Sequence, residues 1–152
     1  MINNLKTDAT GRAFITHEEG EKLLAYKCAA CKDTIGVGHT GPDIKPKMAI
    51  TKEQSQQLLT KDLARFEAAV NRLVKVPLNQ CQFNALVSFA FNLGEGSLER
   101  SSLLKLINAK GNVAEDGGVL THCFEIWCNV NSKPHPGIKA RRLREAALFL
   151  GH

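Results

Sequence analysis

Glu19 lies at the end of a helical pattern, directly before Gly20. Eight residues separate it from Cys28, and five more separate Cys28 from Thr34. A carboxyl group held where a helix meets a turn can be kept partly out of water, which favours its protonated form and suits it to donate a proton near neutrality. Cleavage of a glycosidic bond asks for such a donor at the leaving oxygen. It also needs a second group on the other face of the sugar, to activate water or attack carbon. Cys28 and Thr34 place a thiol and a hydroxyl on the segment that follows. A glutamate at a helix end is by itself an ordinary solvated residue, so its surroundings must carry the case.

The surrounding pattern predicts the elements that would hold these groups. A helix is expected from about Asp8 to Glu19, stopped by Gly20, because glycine accepts the left-handed cap conformation. Residues 24–28 and 34–38 are short, β-branched or aromatic, and broken by glycine, which predicts a small antiparallel sheet with tight turns. Gly41 to Pro46 reads as a loop. Thr51 and Gln54 fit a capping box, and behind them Leu59, Leu63, Phe66, Val70 and Leu73 form an amphipathic stripe that Pro77 ends. Asn79 is placed to cap the next helix, whose stretch from Phe83 to Leu93 is apolar on nearly every side, as in a buried central helix. Shorter helices are expected near 101–109, 119–128 and 138–150. The class is therefore α+β, predominantly helical.

The run Glu19-Gly20, Cys28, Thr34 and Thr34-Ile-Gly-Val-Gly-His39 resembles the signature of the phage lysozyme family, glycoside hydrolase family 24. That signature is Glu, eight residues, Asp or Cys, five residues, Thr. Phe89-Ala-Phe91-Asn92-Leu-Gly94 resembles the family's central helix and its glycine stop. Arg141-Arg142, Glu145 and Leu148-Phe149-Leu150 resemble its C-terminal helix. The resemblance spans about residues 10 to 150. It implies one lysozyme domain over 1–152, with a small β-containing lobe at about 12–60 and a helical lobe at about 75–152 that includes the N-terminal helix, joined by a long helix. By position, it implies that Glu19 is the general acid, that Cys28 takes the place of the second catalytic group, and that Thr34 holds the water. Phe91, Asn92 and His39 are expected at the substrate, with His39 read mainly as fixing the strand before it. The implied enzyme is a monomeric, cofactor-free and metal-free muramidase. It would cut peptidoglycan between N-acetylmuramic acid and N-acetylglucosamine and so lyse a host cell.

Cys28 is the departure that changes the chemistry, since an ordinary thiol is mostly neutral at pH 7 where a carboxylate is ionised. Lys27 and Lys32 are candidates for lowering its pKa, and Asp33 is a candidate substitute carboxylate. Cys28-Ala-Ala-Cys31 has the spacing of redox pairs, so a disulfide that masks the thiol is a further expectation to test. Cys31 also stands where the family commonly has a turn residue such as glycine. Residues 117–132 match the family poorly apart from Trp127, which reads as a core anchor.

Composition bounds the alternatives. The chain has 152 residues, 20 Lys and Arg against 15 Asp and Glu, and a formal net charge of +5, which favours anionic partners without choosing among them. Cys28, Cys31, His39, His122, Cys123 and Cys128 lack the paired spacing of a structural zinc site. Lys139, Arg141, Arg142 and Arg144 form a basic cluster without interleaved aromatics, so nucleic acid is not expected as a partner. Weak contact of that helix with an anionic membrane surface remains an expectation. The N-terminus has no apolar signal region. With the resemblance, that implies accumulation in the host cytoplasm and release to the periplasm by a separate pore-forming protein. The competing functional reading is a prophage-remnant peptidoglycan-binding protein with weak or redox-controlled activity.

Overall fold

The computed structural model describes residues 2–111 and 116–152. Two compact units emerge from its contacts: Ala9–Ala64, and Met1–Asp8 with Arg65–His152.

The first unit begins with α1 (Ala9–Glu19), which ends as Gly20 enters the left-handed region at φ +77 and its N–H bonds the Thr16 carbonyl at 2.8 Å. An antiparallel sheet follows in the order β1 (Lys22–Lys27), β2 (Asp33–Gly36), β3 (His39–Thr40). Tyr26 pairs with Thr34 and Lys27 with Asp33, while the register shifts between Lys22 and Tyr26. The chain then returns along β1, where Ala25 N–H bonds Met48 O and Ile50 N–H bonds Leu23 O. Ile15, Ile35, Val37, Ile44, Leu59 and Leu63 are the buried apolar residues of this unit.

The long helix α2 (Lys52–Leu73) starts in the first unit and ends in the second. Its N-terminus carries the expected capping box, since Thr51 N–H bonds Gln54 Oε1 at 2.8 Å and Gln54 N–H bonds Thr51 Oγ1 at 3.1 Å. The second unit continues with α3 (Gln80–Leu93), α4 (Glu95–Arg100), α5 (Ser102–Lys110), α6 (Gly117–Glu125), the hairpin β4 (Asn129–Val130) and β5 (Lys133–Pro134), and α7 (Pro136–Leu150). Asn79 caps α3 in a full capping box with Gln82, and Phe83 to Ala90 are all buried, as the all-round apolar pattern required. The segment before α1 is tied down on this unit: Asn71 Nδ2 donates to Leu5 O at 2.9 Å, and Leu5 N–H donates to Asn71 Oδ1 at 3.1 Å.

Two expectations need correction. The N-terminal helix, expected with the helical lobe, groups with the sheet; Gln56 of α2 donates to Thr16 Oγ1 at 3.1 Å and to Glu21 at 3.0 Å, linking its last turns to the start of α2 within the first unit. The single helix expected over 119–128 stops at Glu125 and gives way to a hairpin, whose turn residues Asn131 and Ser132 have φ +51 and +65. A turn with two positive φ values is normally announced by glycine, and none is present here. One helix, α4, is additional to those expected; it lies between the cap residues Gly94 and Ser101.

Candidate functional site

Glu19 is the last residue of α1 and is partly exposed. Its Oε2 lies 3.8 Å from where a Cβ on Gly38 would sit, so the glycine segment after β2 runs beside the carboxyl group. Gly38 has φ +71 and Gly36 has φ +65, and a Cβ on Gly36 would come within 3.1 Å of Ser55 Oγ. Glycine is therefore required in this strand both for its backbone angles and for close approach. Glu21, which the sequence did not single out, is fixed by the same helix start: its Oε2 accepts from Ser55 Oγ at 2.7 Å and from Gln56 Nε2 at 3.0 Å. The Ser55 hydroxyl holds the Glu21 carboxyl below its usual range. A groove of about 700 Å³ opens between α1 and the start of α2, lined by Arg12, Thr16, Glu21, Lys52 and Gln56 among others. It takes in none of Glu19, Cys28 and Thr34.

Cys28 and Thr34 are brought together by the β1–β2 turn. Cys28 N–H bonds Lys32 O at 3.0 Å and Cys31 N–H bonds Cys28 O at 2.8 Å, which closes the turn tightly. Thr34 is buried and its hydroxyl donates to Lys32 O at 3.0 Å. That hydroxyl, followed by the backbone at Lys32 and Ala30, pulls the Cys28 thiol below its ordinary pKa. The ammonium groups of Lys27 and Lys32, the sequence candidates for this effect, are not its source. Lys27 instead pairs with Asp33 at 2.9 Å, which commits the carboxylate considered as a substitute for Cys28. Cys28 and Cys31 are free thiols. Cys31 has φ +59, the left-handed turn position that favours glycine.

His39 stands on β3 with both ring nitrogens engaged, Nδ1 2.7 Å from Asp62 Oδ2 and Nε2 3.1 Å from Asp43 Oδ2. Burial pushes its pKa down, but the hydrogen bonds and charges of Asp62 and Asp43 outweigh that and raise it above the usual value. Asp43 is lowered in turn, first by its hydrogen bond to His39. The imidazole thus ties the sheet to α2 within the first unit.

In the second unit, Phe91 and Asn92 form the last turn of α3. The Phe91 ring meets Phe66 edge-on at 5.5 Å. Asn92 is exposed, and its Oδ1 accepts from Arg142 Nη2 at 2.8 Å. Arg142 is wholly buried, with Nε 2.8 Å from Glu145 Oε1 and its guanidinium 5.2 Å from the centre of the Phe89 ring. Glu145 is also wholly buried; its Oε2 accepts from Ser88 Oγ at 2.5 Å and from Arg141 Nε at 3.2 Å. Burial pushes the Glu145 carboxyl up, with Arg142 and Arg141 opposing it. The basic cluster expected on the surface of α7 is thus half interior, since Arg141 and Arg142 are buried. Trp127 packs edge-on against Phe89 at 5.9 Å with Arg100 over its ring at 5.6 Å, as a core anchor would. Its indole Nε1 is buried without a hydrogen-bond partner among the described residues.

The phage lysozyme family model matches residues 16–145. The endolysin of Salmonella phage P22 is 38% identical over 150 residues, covering 96% of this chain and 99% of that protein. The endolysin of Bacillus phage PZA is 37% identical over 147 residues, and the chain spans about half of its length, 55%. Among solved structures, an endolysin from Escherichia coli O157:H7 phage FAHEc1 superposes with a TM-score of 0.88 at 33% identity, covering 99% of this chain and 96% of that one.

Proposed function

Because this chain belongs to the phage lysozyme family, we propose that it is an endolysin of the muramidase kind, hydrolysing the β-1,4 bond between N-acetylmuramic acid and N-acetylglucosamine in peptidoglycan (EC 3.2.1.17). Glu19 protonates the glycosidic oxygen as it leaves. Cys28 serves as the second group, with Thr34 beside it, and water supplies the hydroxyl that ends on the anomeric carbon. His39 holds β3 in place, and Phe91 and Asn92 meet the sugar chain. The protein acts as a monomer without a cofactor, accumulates in the host cytoplasm and reaches the wall through a separate pore-forming protein. No helix among the described residues is long and apolar enough to cross a membrane.

The observation that carries this reading is the convergence of Cys28 and Thr34. A thiol replaces an acid at this position only if it can ionise near neutrality, and the Thr34 hydroxyl with the turn backbone favours the thiolate. The test is product chemistry on purified murein. After digestion and borohydride reduction, new reducing ends should appear as muramitol. Glucosaminitol would assign the other glycosidic bond, 1,6-anhydro products would replace hydrolysis by transglycosylation, and no new ends would leave a binding protein.

A further inference from the structure

The oxygen and nitrogen of an asparagine amide are told apart by what faces them. At Asn92 the facing group is a guanidinium, which carries five N–H donors and no acceptor. The Asn92 atom 2.8 Å from Arg142 Nη2 is therefore the carbonyl oxygen. Its amide nitrogen is turned the other way on an exposed residue at the end of α3, and its side chain makes no other hydrogen bond among the described residues. Arg142 has little freedom to choose otherwise. Its Nη2 also donates to Glu145 Oε2 at 3.3 Å, its Nε lies 2.8 Å from Glu145 Oε1 as an ion pair without a hydrogen bond, and the Phe89 ring lies against the guanidinium. Glu145 is itself locked by Ser88 and Arg141.

Such a cluster is a poor device for stability alone. Well-packed apolar side chains of the same volume commonly match or exceed a buried ion pair. What an apolar core would not provide is an oriented amide at the surface, polarised by a cation behind its carbonyl so that its N–H groups donate more strongly.

We propose that Glu145 and Arg142 are positioning residues that hold the Asn92 amide with its N–H donors facing outward, as donors to a carbonyl or hydroxyl oxygen of the N-acetylated sugar chain. This rests on the muramidase reading and names how one of its substrate contacts is built.

The test compares kcat and KM on solubilised murein, together with unfolding midpoints, for wild type, Asn92→Asp, Asn92→Ala, Arg142→Lys and the Asn92→Ala/Arg142→Lys pair. Asn92→Asp keeps an acceptor for Arg142 but turns the outward group into a second acceptor. It should lower kcat/KM by about 10- to 100-fold, the loss expected for one unmade hydrogen bond in a built site, while the unfolding midpoint stays level or rises. Arg142→Lys alone should cost a comparable factor. On the Asn92→Ala background it should change kcat/KM by less than about twofold, because it acts through the amide already removed. Wild-type kinetics in Asn92→Asp would overturn the proposal, and so would losses that multiply in the double variant. Should Arg142→Lys fail to fold, the contrast between Asn92→Asp and wild type decides alone. If wild type releases no muramitol ends, the muramidase reading falls and takes this inference with it. If wild type cuts and Asn92→Asp cuts equally, only the positioning role is lost.

Discussion

The unit Ala9–Ala64 and the unit completed by Arg65–His152 put charge to opposite uses. In the first, the groups with chemistry are at or near the surface and are tuned by short-range partners: Cys28 by Thr34 and the turn backbone, Glu21 by Ser55, and His39 by Asp62 and Asp43. At Gly36 a positive φ and the close approach of Ser55 together disfavour any side chain. In the second, the ionisable residues that matter most are sealed away: Arg142 and Glu145 have no exposed surface, and the exposed Asn92 accepts a hydrogen bond from Arg142. A half-buried thiol or imidazole with polar partners can titrate at little cost in stability. A buried carboxylate between two guanidiniums cannot be changed without consequence for the fold.

That contrast can be broken most forcefully at Glu145. Glu145→Ala should leave Arg142 and Arg141 facing each other without their shared anion and cost about 3–5 kcal/mol of stability, read from urea unfolding. A loss under about 1 kcal/mol would mean that the cluster is not the pillar of its unit. In the sheet unit, Cys28→Ala should do the reverse. Stability should stay within about 0.5 kcal/mol, while murein cleavage falls by at least about tenfold. The same thiol should react with iodoacetamide at a lower pH than an ordinary cysteine, and Thr34→Val should move that midpoint up.

His39 sharpens the comparison through pH. Its folded pKa is raised, so the protonated form is the one the native state favours. The stability it contributes is fully present below its unfolded value near about 6.5 and is lost as pH rises through the folded value. Thermal unfolding between pH 6 and 8 should show that loss in wild type and show it reduced in His39→Asn. Equal slopes would disprove the linkage. The smallest effect is expected at Cys31. Cys31→Gly relieves a left-handed backbone worth about 1–2 kcal/mol, part of which returns as lost chain entropy. The variant should therefore unfold at a slightly higher temperature with unchanged activity.

How far each part was legible in the sequence follows the same divide. The spacing of Glu19, Cys28 and Thr34 is local, and the turn that joins Cys28 to Thr34 closes through backbone bonds from Cys28 to Lys32 and from Cys31 to Cys28. The capping residues Thr51 and Asn79 were equally plain, because caps act over three positions. What eluded the sequence was long-range or backbone-borne. Asp62, the partner of His39, is 23 residues away, and Glu21 finds Ser55 across 34. The influence on Cys28 comes from amide groups and a hydroxyl, which lysine counting overlooks. Arg141 and Arg142 look like solvated helix charges until both are seen buried against Glu145, with Ser88 as a further partner of Arg141. The hairpin at 129–134 was hidden because Asn131 and Ser132 take backbone angles usually marked by glycine.

Glu19 is the proposed proton donor for glycosidic cleavage, and the clearing rate of outer-membrane-stripped Gram-negative cells by reduced wild type beside Glu19→Gln tests that role. Wild type should clear the suspension, and Glu19→Gln, folded with an unchanged unfolding midpoint, should be slower by about 10²- to 10⁴-fold, the range general acid catalysis supplies. A Glu19→Gln variant that clears as fast as wild type would contradict it and move the chemistry to another residue.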